Sequence, residues 1–282
     1  MNTKTTRHVC VLGHGITYSR SPLIHNYWIS KYGVDAEYGV CDLPATELSG
    51  FMASIRDGSS IGCNVTIPYK QAVIPYLDVV DDAARSTGSV NTVYCSNGLV
   101  RGTSTDGTGY VDHLQNTHPD FRLNGSRVLV LGAGGAARSI ADALVKSGCS
   151  VIYIANRTME KAEQIAGLQP DIIKPLAWDE IASKAAHVDL TINTTSLGMT
   201  GRQPLLFPVE QTGGDCIISD IVYAPLETEL LARARSLGRP ILDGLGMLLH
   251  QAVPGFHLWF GIRPEVTGDL RALVEQDLLS HD

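Results

Sequence analysis

Along almost the whole chain, short apolar runs rich in β-branched residues alternate with stretches of helical periodicity, the pattern of an α/β protein. HVCVL at 8–12 predicts a first strand. A helix is expected to open at Ser21-Pro22, with a Ser cap followed by Pro at the first helical position, and to stop at Gly33. AEYGVCD and IGCNVT read as further strands with a helical stretch between them. VNTVYC and GLVRGTST flank Ser96-Asn97-Gly98, which predicts a hairpin. A new series begins at RVLVLGAGGAARSIADALVKSG, a strand, a glycine turn and a helix stopping at Gly148. VIYIA, VDLTIN, CIISDIV and PILD supply its later strands, and from Gly246 onward the pattern is helical only. There is no internal repeat, and the boundary between the two series falls near 106–112.

At 282 residues, two domains are the natural expectation, and 44% hydrophobic with 18% charged residues indicates an ordinary globular protein. A net charge of -7 without any Lys/Arg run argues against a nucleic-acid or anionic-membrane surface. Cys10, Cys41, Cys63, Cys95, Cys149 and Cys216 are far apart with no C-x-x-C pair, which suits reduced thiols rather than a zinc or disulfide framework. The start, MNTKTTRHVCVLG, lacks the apolar run of a signal peptide, and no segment approaches the roughly 20 apolar residues of a membrane helix. A soluble, cytoplasmic protein is expected.

GAGGAA at 132–137 directly follows the strand VLVL and opens a helix. In a dinucleotide-binding turn Gly132 permits the tight bend and Gly134 lets the backbone approach a pyrophosphate, while Ala137 allows close helix–strand packing. The helix N-terminus then favours the phosphate anion. A purely structural glycine turn is the alternative, made less attractive by the strand before and the helix after. No Gly-Lys-Ser/Thr follows, so a nucleotide-hydrolysing P-loop is not supported. The next strand ends in Asn156-Arg157-Thr158, where an NAD site usually carries an acidic residue for the ribose hydroxyls. A guanidinium at a helix start is unfavourable beside the dipole unless it meets an anion such as the 2′-phosphate of NADP. NADP(H) is expected over NAD.

GTSTDG at 102–107 admits three readings: a nucleophile elbow, a polar turn, or the setting of a reactive Asp106. An elbow requires G-x-S-x-G, and Asp106 stands where the small residue should be. Other segments stand out. Ser19-Arg20-Ser21-Pro22 puts two hydroxyls at a helix start, where they could hold a carboxylate or simply cap. GCNVTIPYK at 62–70 ends a buried-looking strand with Thr66, Pro68 and Lys70, and VNT at 90–92 adds Asn91. Taken with GSVNTV, TDG, GAGGAARS, NRT, NTTSLGM, DIVYAPLET and DGLGMLLHQA, in that order, the chain resembles the shikimate dehydrogenase family over nearly its whole length.

The resemblance implies an α/β protein of two domains. Residues 1–106, with terminal helices from 246–282, would bind substrate, and 107–245 would form a Rossmann-type NADP-binding domain. It implies reversible reduction of 3-dehydroshikimate to shikimate, with no metal and a monomer or homodimer. Lys70 and Asp106 would be catalytic, and Ser19, Ser21, Thr66, Asn91, Tyr223 and Gln251 would bind a shikimate-like polyhydroxy cyclic acid. Gly132, Ala133, Gly134, Gly135, Ala136, Asn156, Arg157, Thr158, Ile221 and Gly244 would bind the cofactor. The family usually has Pro at Gly15, His at Tyr18 and Asn at Ser104. These departures keep quinate and amino analogues of shikimate in view as substrates, and a catalytically weak ligand sensor as the rival class.

Overall fold

The computed structural model describes residues 7–16 and 18–281, so the first six residues of the stretch read for a signal peptide lie outside the described residues. The described chain groups into two compact units, 7–105 with 251–274 and 106–250 with 275–281. In the first unit the chain runs β1 (Arg7–Gly13), α1 (Ser21–Tyr32), β2 (Ala36–Asp42), α2 (Leu48–Arg56), β3 (Gly62–Val65), β4 (Val79–Val80), α3 (Asp82–Thr87), β5 (Thr92–Ser96) and β6 (Leu99–Thr103). The second unit begins with α4 (Asp106–Thr117), β7 (Arg127–Leu131), α5 (Gly135–Lys146), β8 (Val151–Ala155), α6 (Met159–Ala166) and β9 (Ile173–Leu176). It continues with α7 (Ile181–Ala185), β10 (Leu190–Asn193), β11 (Ile217–Asp220), α8 (Glu229–Ser236) and β12 (Ile241–Leu242). The helices α9 (Gly244–Phe260) and α10 (Gly268–His281) complete the described chain.

The first unit's sheet has the order β2-β1-β3-β5-β6-β4. Its first three strands are parallel, and β5 and β6 then pair antiparallel as the expected hairpin. Asn97 (φ 54) and Gly98 (φ 74) form the two-residue loop. Positive φ at both positions matches the twist of the flanking strands, which is why Asn-Gly marks such turns. One face of the sheet is covered by an aliphatic cluster that includes Leu48, Met52 and Ile55 of α2. An aromatic cluster joins His25 and Trp28 of α1, Tyr38 of β2, and Phe256 and Trp259 of α9.

The second unit has a fully parallel sheet in the order β12-β11-β10-β7-β8-β9. Numbered within the unit this is the 3-2-1-4-5-6 order of the doubly wound Rossmann fold. Neighbouring positions on a strand serve opposite faces. Val128 and Val130 of β7 enter one core with Ile140 and Leu144 of α5, while Leu129 and Leu131 enter another with Leu230 and Leu231 of α8. This two-sided burial explains why VLVL reads as an unbroken apolar run rather than an alternating one.

Two strands escaped the sequence pattern. β4 has only two residues, and β9 (IKPL) is apolar only at its buried ends and carries Pro175. Proline is tolerated there because β9 lies at the sheet edge, paired to β8 alone. The opening of α1 also shifts by one residue: Arg20 is the N-cap and Ser21 the first helical residue, while Gly33 ends the helix at φ 62 as expected. The terminal helical region starts two residues before the expected Gly246.

His25 is fully buried, stacked on Tyr38 at 4.2 Å, and neither ring nitrogen has a hydrogen-bond partner among the described residues. Burial pushes its pKa down from 6.5 to about 3. The unfolded chain therefore takes up a proton below pH 6.5 that the folded one refuses. His25's contribution to stability is full above pH 6.5 and declines between there and about 3. Replacing it with Phe is expected to remove up to about 1.4 kcal/mol per pH unit of that decline. Urea unfolding of both proteins across pH 4–7 checks this; parallel curves would refute it.

Candidate functional site

In the first unit the residues singled out sit where strands end. After β1, the carboxylate of Asp42 accepts hydrogen bonds from the amides of Gly15 (2.9 Å) and Ile16 (3.0 Å), fixing the approach to α1. These bonds, with His14 as a further partner, hold the Asp42 carboxyl below the usual carboxylate range. Ser19 Oγ accepts from the Ser21 amide (3.3 Å), taking the capping part that the sequence suggested for Ser21. Ser21 is itself buried in the first turn, and Tyr18, next to Ser19 in sequence, is 62% exposed. After β3, the Thr66 amide donates to Leu12 O (2.9 Å) and Thr66 O accepts from Tyr69 (2.9 Å), closing a turn around the cis Ile67-Pro68 bond. Tyr69 OH is buried and donates to Leu43 O (2.7 Å), and Lys70 O accepts from Val90 N (2.8 Å). The backbone carrying Lys70 is therefore held on both sides, with the side chain half-buried.

Asn91 is the centre of the first unit's polar cluster. Its Oδ1 accepts from the Thr105 amide (2.8 Å) and the Thr92 hydroxyl (3.1 Å), and its Nδ2 donates to Thr105 Oγ1 (2.9 Å) and Gln251 Oε1 (3.5 Å). Thr105 Oγ1 closes the loop on Gln251 O (2.8 Å). Asn91 and Gln251, 160 positions apart in sequence, are thus brought together. Behind them lies a layer the sequence reading missed. Tyr38 OH donates to Asn64 Oδ1 (2.7 Å), and Asn64 Nδ2 donates to Asn91 O (3.3 Å) and Thr92 Oγ1 (3.2 Å). Buried polar groups need such partners, so an Asn inside the buried-looking GCNV was the available signal.

In the second unit Asp106 is the first residue of α4, buried, where the positive end of the helix dipole favours a carboxylate. GTSTDG does have the strand–turn–helix setting of a nucleophile elbow, since β6 ends at Thr103 and α4 begins at Asp106. An elbow exposes its nucleophile. Ser104 is only 6% exposed, which rules out the hydrolase reading on structural grounds.

The glycine turn joins β7 to α5. Gly132 has φ +108, and a side chain there would also meet Thr194 Oγ1 at 2.7 Å. Gly134 is the N-cap and Gly135 the first helical residue, flanked by the half-buried Ala133 and Ala136. A Cβ at either Gly134 or Gly135 would project into open space at the mouth of the helix. This bare backbone over a helix N-terminus fits a dinucleotide phosphate. At the end of β8, Asn156 Nδ2 donates to Thr158 O (2.9 Å), leaving Arg157 exposed before α6 and Thr158 as its N-cap.

On the other side of β7, Ile221 N donates to Asn193 O (3.1 Å), and a Cβ at Gly244 would collide with the Ile221 carbonyl. The ends of β10, β11 and β12 therefore converge, and Tyr223 lies half-buried in the loop after β11. Asp220, also missed from the sequence, is fully buried here, and burial pushes its pKa up to about 6. Among the described residues no group of three or more His, Cys, Asp or Glu is placed to hold a metal ion, and no helix is long and apolar enough to cross a membrane.

The chain matches known proteins along almost its whole length. Residues 11–93 match the shikimate dehydrogenase substrate binding domain, 114–200 the shikimate / quinate 5-dehydrogenase model, and 244–274 the shikimate 5'-dehydrogenase C-terminal domain. The shikimate dehydrogenase (NADP(+)) of Nitrobacter winogradskyi is 43% identical over 280 residues, covering 99% of this chain and 100% of the relative. The Thermus thermophilus shikimate 5-dehydrogenase, solved in complex with NADP(H) and shikimate, superposes with a TM-score of 0.83 at 31% identity, covering 97% of this chain and 99% of that one. A quinate dehydrogenase from Corynebacterium glutamicum, solved in complex with NAD, gives a TM-score of 0.88 at 30% identity, covering 96% and 99%.

Proposed function

Because the chain belongs to the shikimate dehydrogenase family, we propose that it catalyses the reversible NADPH-dependent reduction of 3-dehydroshikimate to shikimate, on the route to aromatic amino acids. The observation that carries this reading is the parallel sheet in 3-2-1-4-5-6 order, with an open glycine cradle after its first strand and Arg157 after its second. Gly132, Ala133, Gly134, Gly135 and Ala136 hold the pyrophosphate. Arg157, Asn156 and Thr158 hold the 2′-phosphate, which offsets the cost of a cation at a helix start. Ile221 and Gly244 lie against the nicotinamide end. The six cysteines are all free thiols, which supports a cytoplasmic setting.

When bound, the nicotinamide supplies the hydride, or accepts it in the reverse direction. The chain's own task is the proton. As the carbonyl oxygen of the substrate becomes an alkoxide, the Lys70 ammonium stabilises the charge and donates a proton to it. Asp106 orients the same hydroxyl. Ser19 and Ser21 bind the substrate carboxylate at the start of α1, Thr66, Asn91 and Gln251 bond ring hydroxyls, and Tyr223 borders them. The buried layer of Tyr38, Asn64 and Thr92 fixes Asn91 before substrate arrives, so little ordering remains to be done on binding.

A second reading, a relative acting on quinate or an amino analogue of shikimate, is favoured by Gly15, Tyr18 and Ser104 and by the likeness to the quinate dehydrogenase. Initial rates with shikimate, quinate and an amino analogue, each with NADP and NAD, test both. Turnover of shikimate with NADP is expected to be fastest, quinate leading would install the second reading, and no turnover with any pair would leave a ligand sensor. Lys70→Ala is expected to lower kcat by on the order of 10²–10⁴-fold with KM for shikimate nearly unchanged; near-normal turnover would remove Lys70 from the chemistry. Arg157→Ala is expected to weaken NADPH roughly 10- to 100-fold while NADH binding changes little. Equal losses for the two cofactors would overturn the 2′-phosphate assignment.

A further inference from the structure

One buried carboxylate ties together both ends of a loop. Asp220 is the last residue of β11 and is fully buried. Its Oδ1 accepts from the Val222 amide (3.0 Å) at the start of the following loop, and its Oδ2 accepts from Thr228 Oγ1 (2.8 Å) at the far end. Thr228 is also the N-cap of α8, its hydroxyl oxygen accepting from Leu231 N (3.4 Å). Between these two anchors lie Tyr223 and the cis Ala224-Pro225 bond.

The same carboxylate reaches the neighbouring strand. Asn193, the last residue of β10, donates from Nδ2 to Asp220 Oδ1 (2.9 Å) and to Leu197 O (3.0 Å). Its Oδ1 accepts from the amide (3.0 Å) and hydroxyl (2.7 Å) of Thr195. The turn after β10 and the loop after β11 therefore share one hub. Among the described residues, the side-chain and backbone donors to the Asp220 carboxylate are all neutral. A buried charge without a counter-ion is costly, and an apolar side chain of similar size would fill the same space more cheaply. That cost is visible in the raised pKa, where burial outweighs three hydrogen bonds that favour the anion. The hydrogen bonds it draws in tie the two loops to each other, which apolar packing would not do.

What these loops hold follows from the strand order. The phosphate cradle lies after β7 and Arg157 after β8, so the adenosine end of a dinucleotide lies on the β8 side. Its other half then lies over the ends of β10 and β11, beyond the switch point. We propose that Asp220 is a positioning residue for the nicotinamide half of the dinucleotide site, fixing the 193–198 turn and the 221–228 loop as one bed. This rests on the NADP reading above.

The test compares a ligand that uses the whole site with one that uses the adenosine end alone. NADPH and 2′,5′-ADP are titrated separately against the wild-type protein, Asp220→Ala and Asp220→Asn, with thermal unfolding run on each. Asp220→Ala is expected to weaken NADPH roughly tenfold or more and 2′,5′-ADP by less than about twofold. Asp220→Asn keeps the Oδ1 acceptor and is expected to recover most of the NADPH affinity. Parallel losses for both ligands would mean a merely structural role and overturn the proposal, as would unchanged NADPH affinity in a folded Asp220→Ala protein. If Asp220→Ala does not fold, Thr228→Val takes its place, with Thr228→Ser as the variant that restores the anchor, and the same two outcomes decide. Because binding rather than turnover is read, a wild-type protein inactive on shikimate would sink the substrate assignment and leave this comparison intact. A wild-type protein that binds neither ligand would sink both.

Discussion

Buried polar groups must be satisfied inside the protein, and the candidate site residues of each unit are built on that constraint. A sheet satisfies its backbone through the ladder, but the ladder stops where a strand ends. The residues named here begin at that point: Thr66 after β3, Asn91 before β5, Thr105 after β6, and Asn193 and Asp220 at the ends of β10 and β11. Side-chain amides, hydroxyls and one carboxylate take over the bonding that the ladder leaves undone, and loops that would otherwise be mobile are held in one geometry.

The two units use the same device with different chemistry. In the first, an amide is the hub: Asn91 bonds Thr92, Thr105 and Gln251, and is backed by Asn64 and Tyr38. An amide both donates and accepts, which suits a pocket for a polyhydroxy substrate that presents both kinds of group. In the second, the hub is the acceptor-only carboxylate of Asp220, which draws in three donors from two loops. Elsewhere on the same sheet the Gly132–Ala136 turn offers bare amides and a helix end to an anion. One sheet thus carries an anion-attracting turn after β7 and, after β10 and β11, loops tied by neutral donors.

Much of the architecture was legible in local patterns. Gly33, Asn97-Gly98 and Gly132 mark backbone conformations that few other residues adopt, so their turns could be placed from the sequence. In the second unit β7 (RVLVL) and β8 (VIYIA) are nearly continuous apolar runs and could not be missed. β4 and β9 lie at sheet edges, β4 with only two residues and β9 with a proline inside it. The choice between capping roles for Ser19 and Ser21 turned on one residue of helix phase, which a local pattern does not specify.

By itself the sequence determined the α/β class, the position of the glycine turn, the absence of a carboxylate after β8, and the family whose motifs follow one another along the chain. These are local facts, carried by residue type and spacing over a few positions. Tertiary structure alone decided which polar residues act together. Nothing local joins Asn91 to Gln251, Tyr38 to Asn64, or Asp220 to both Asn193 and Thr228, because those pairs meet only when strands align and helices pack against them. To the mismatch of GTSTDG with an elbow motif, already plain in the sequence, it added burial and helix placement. Ser104 is buried, and Asp106 occupies the helix end where a carboxylate is favoured.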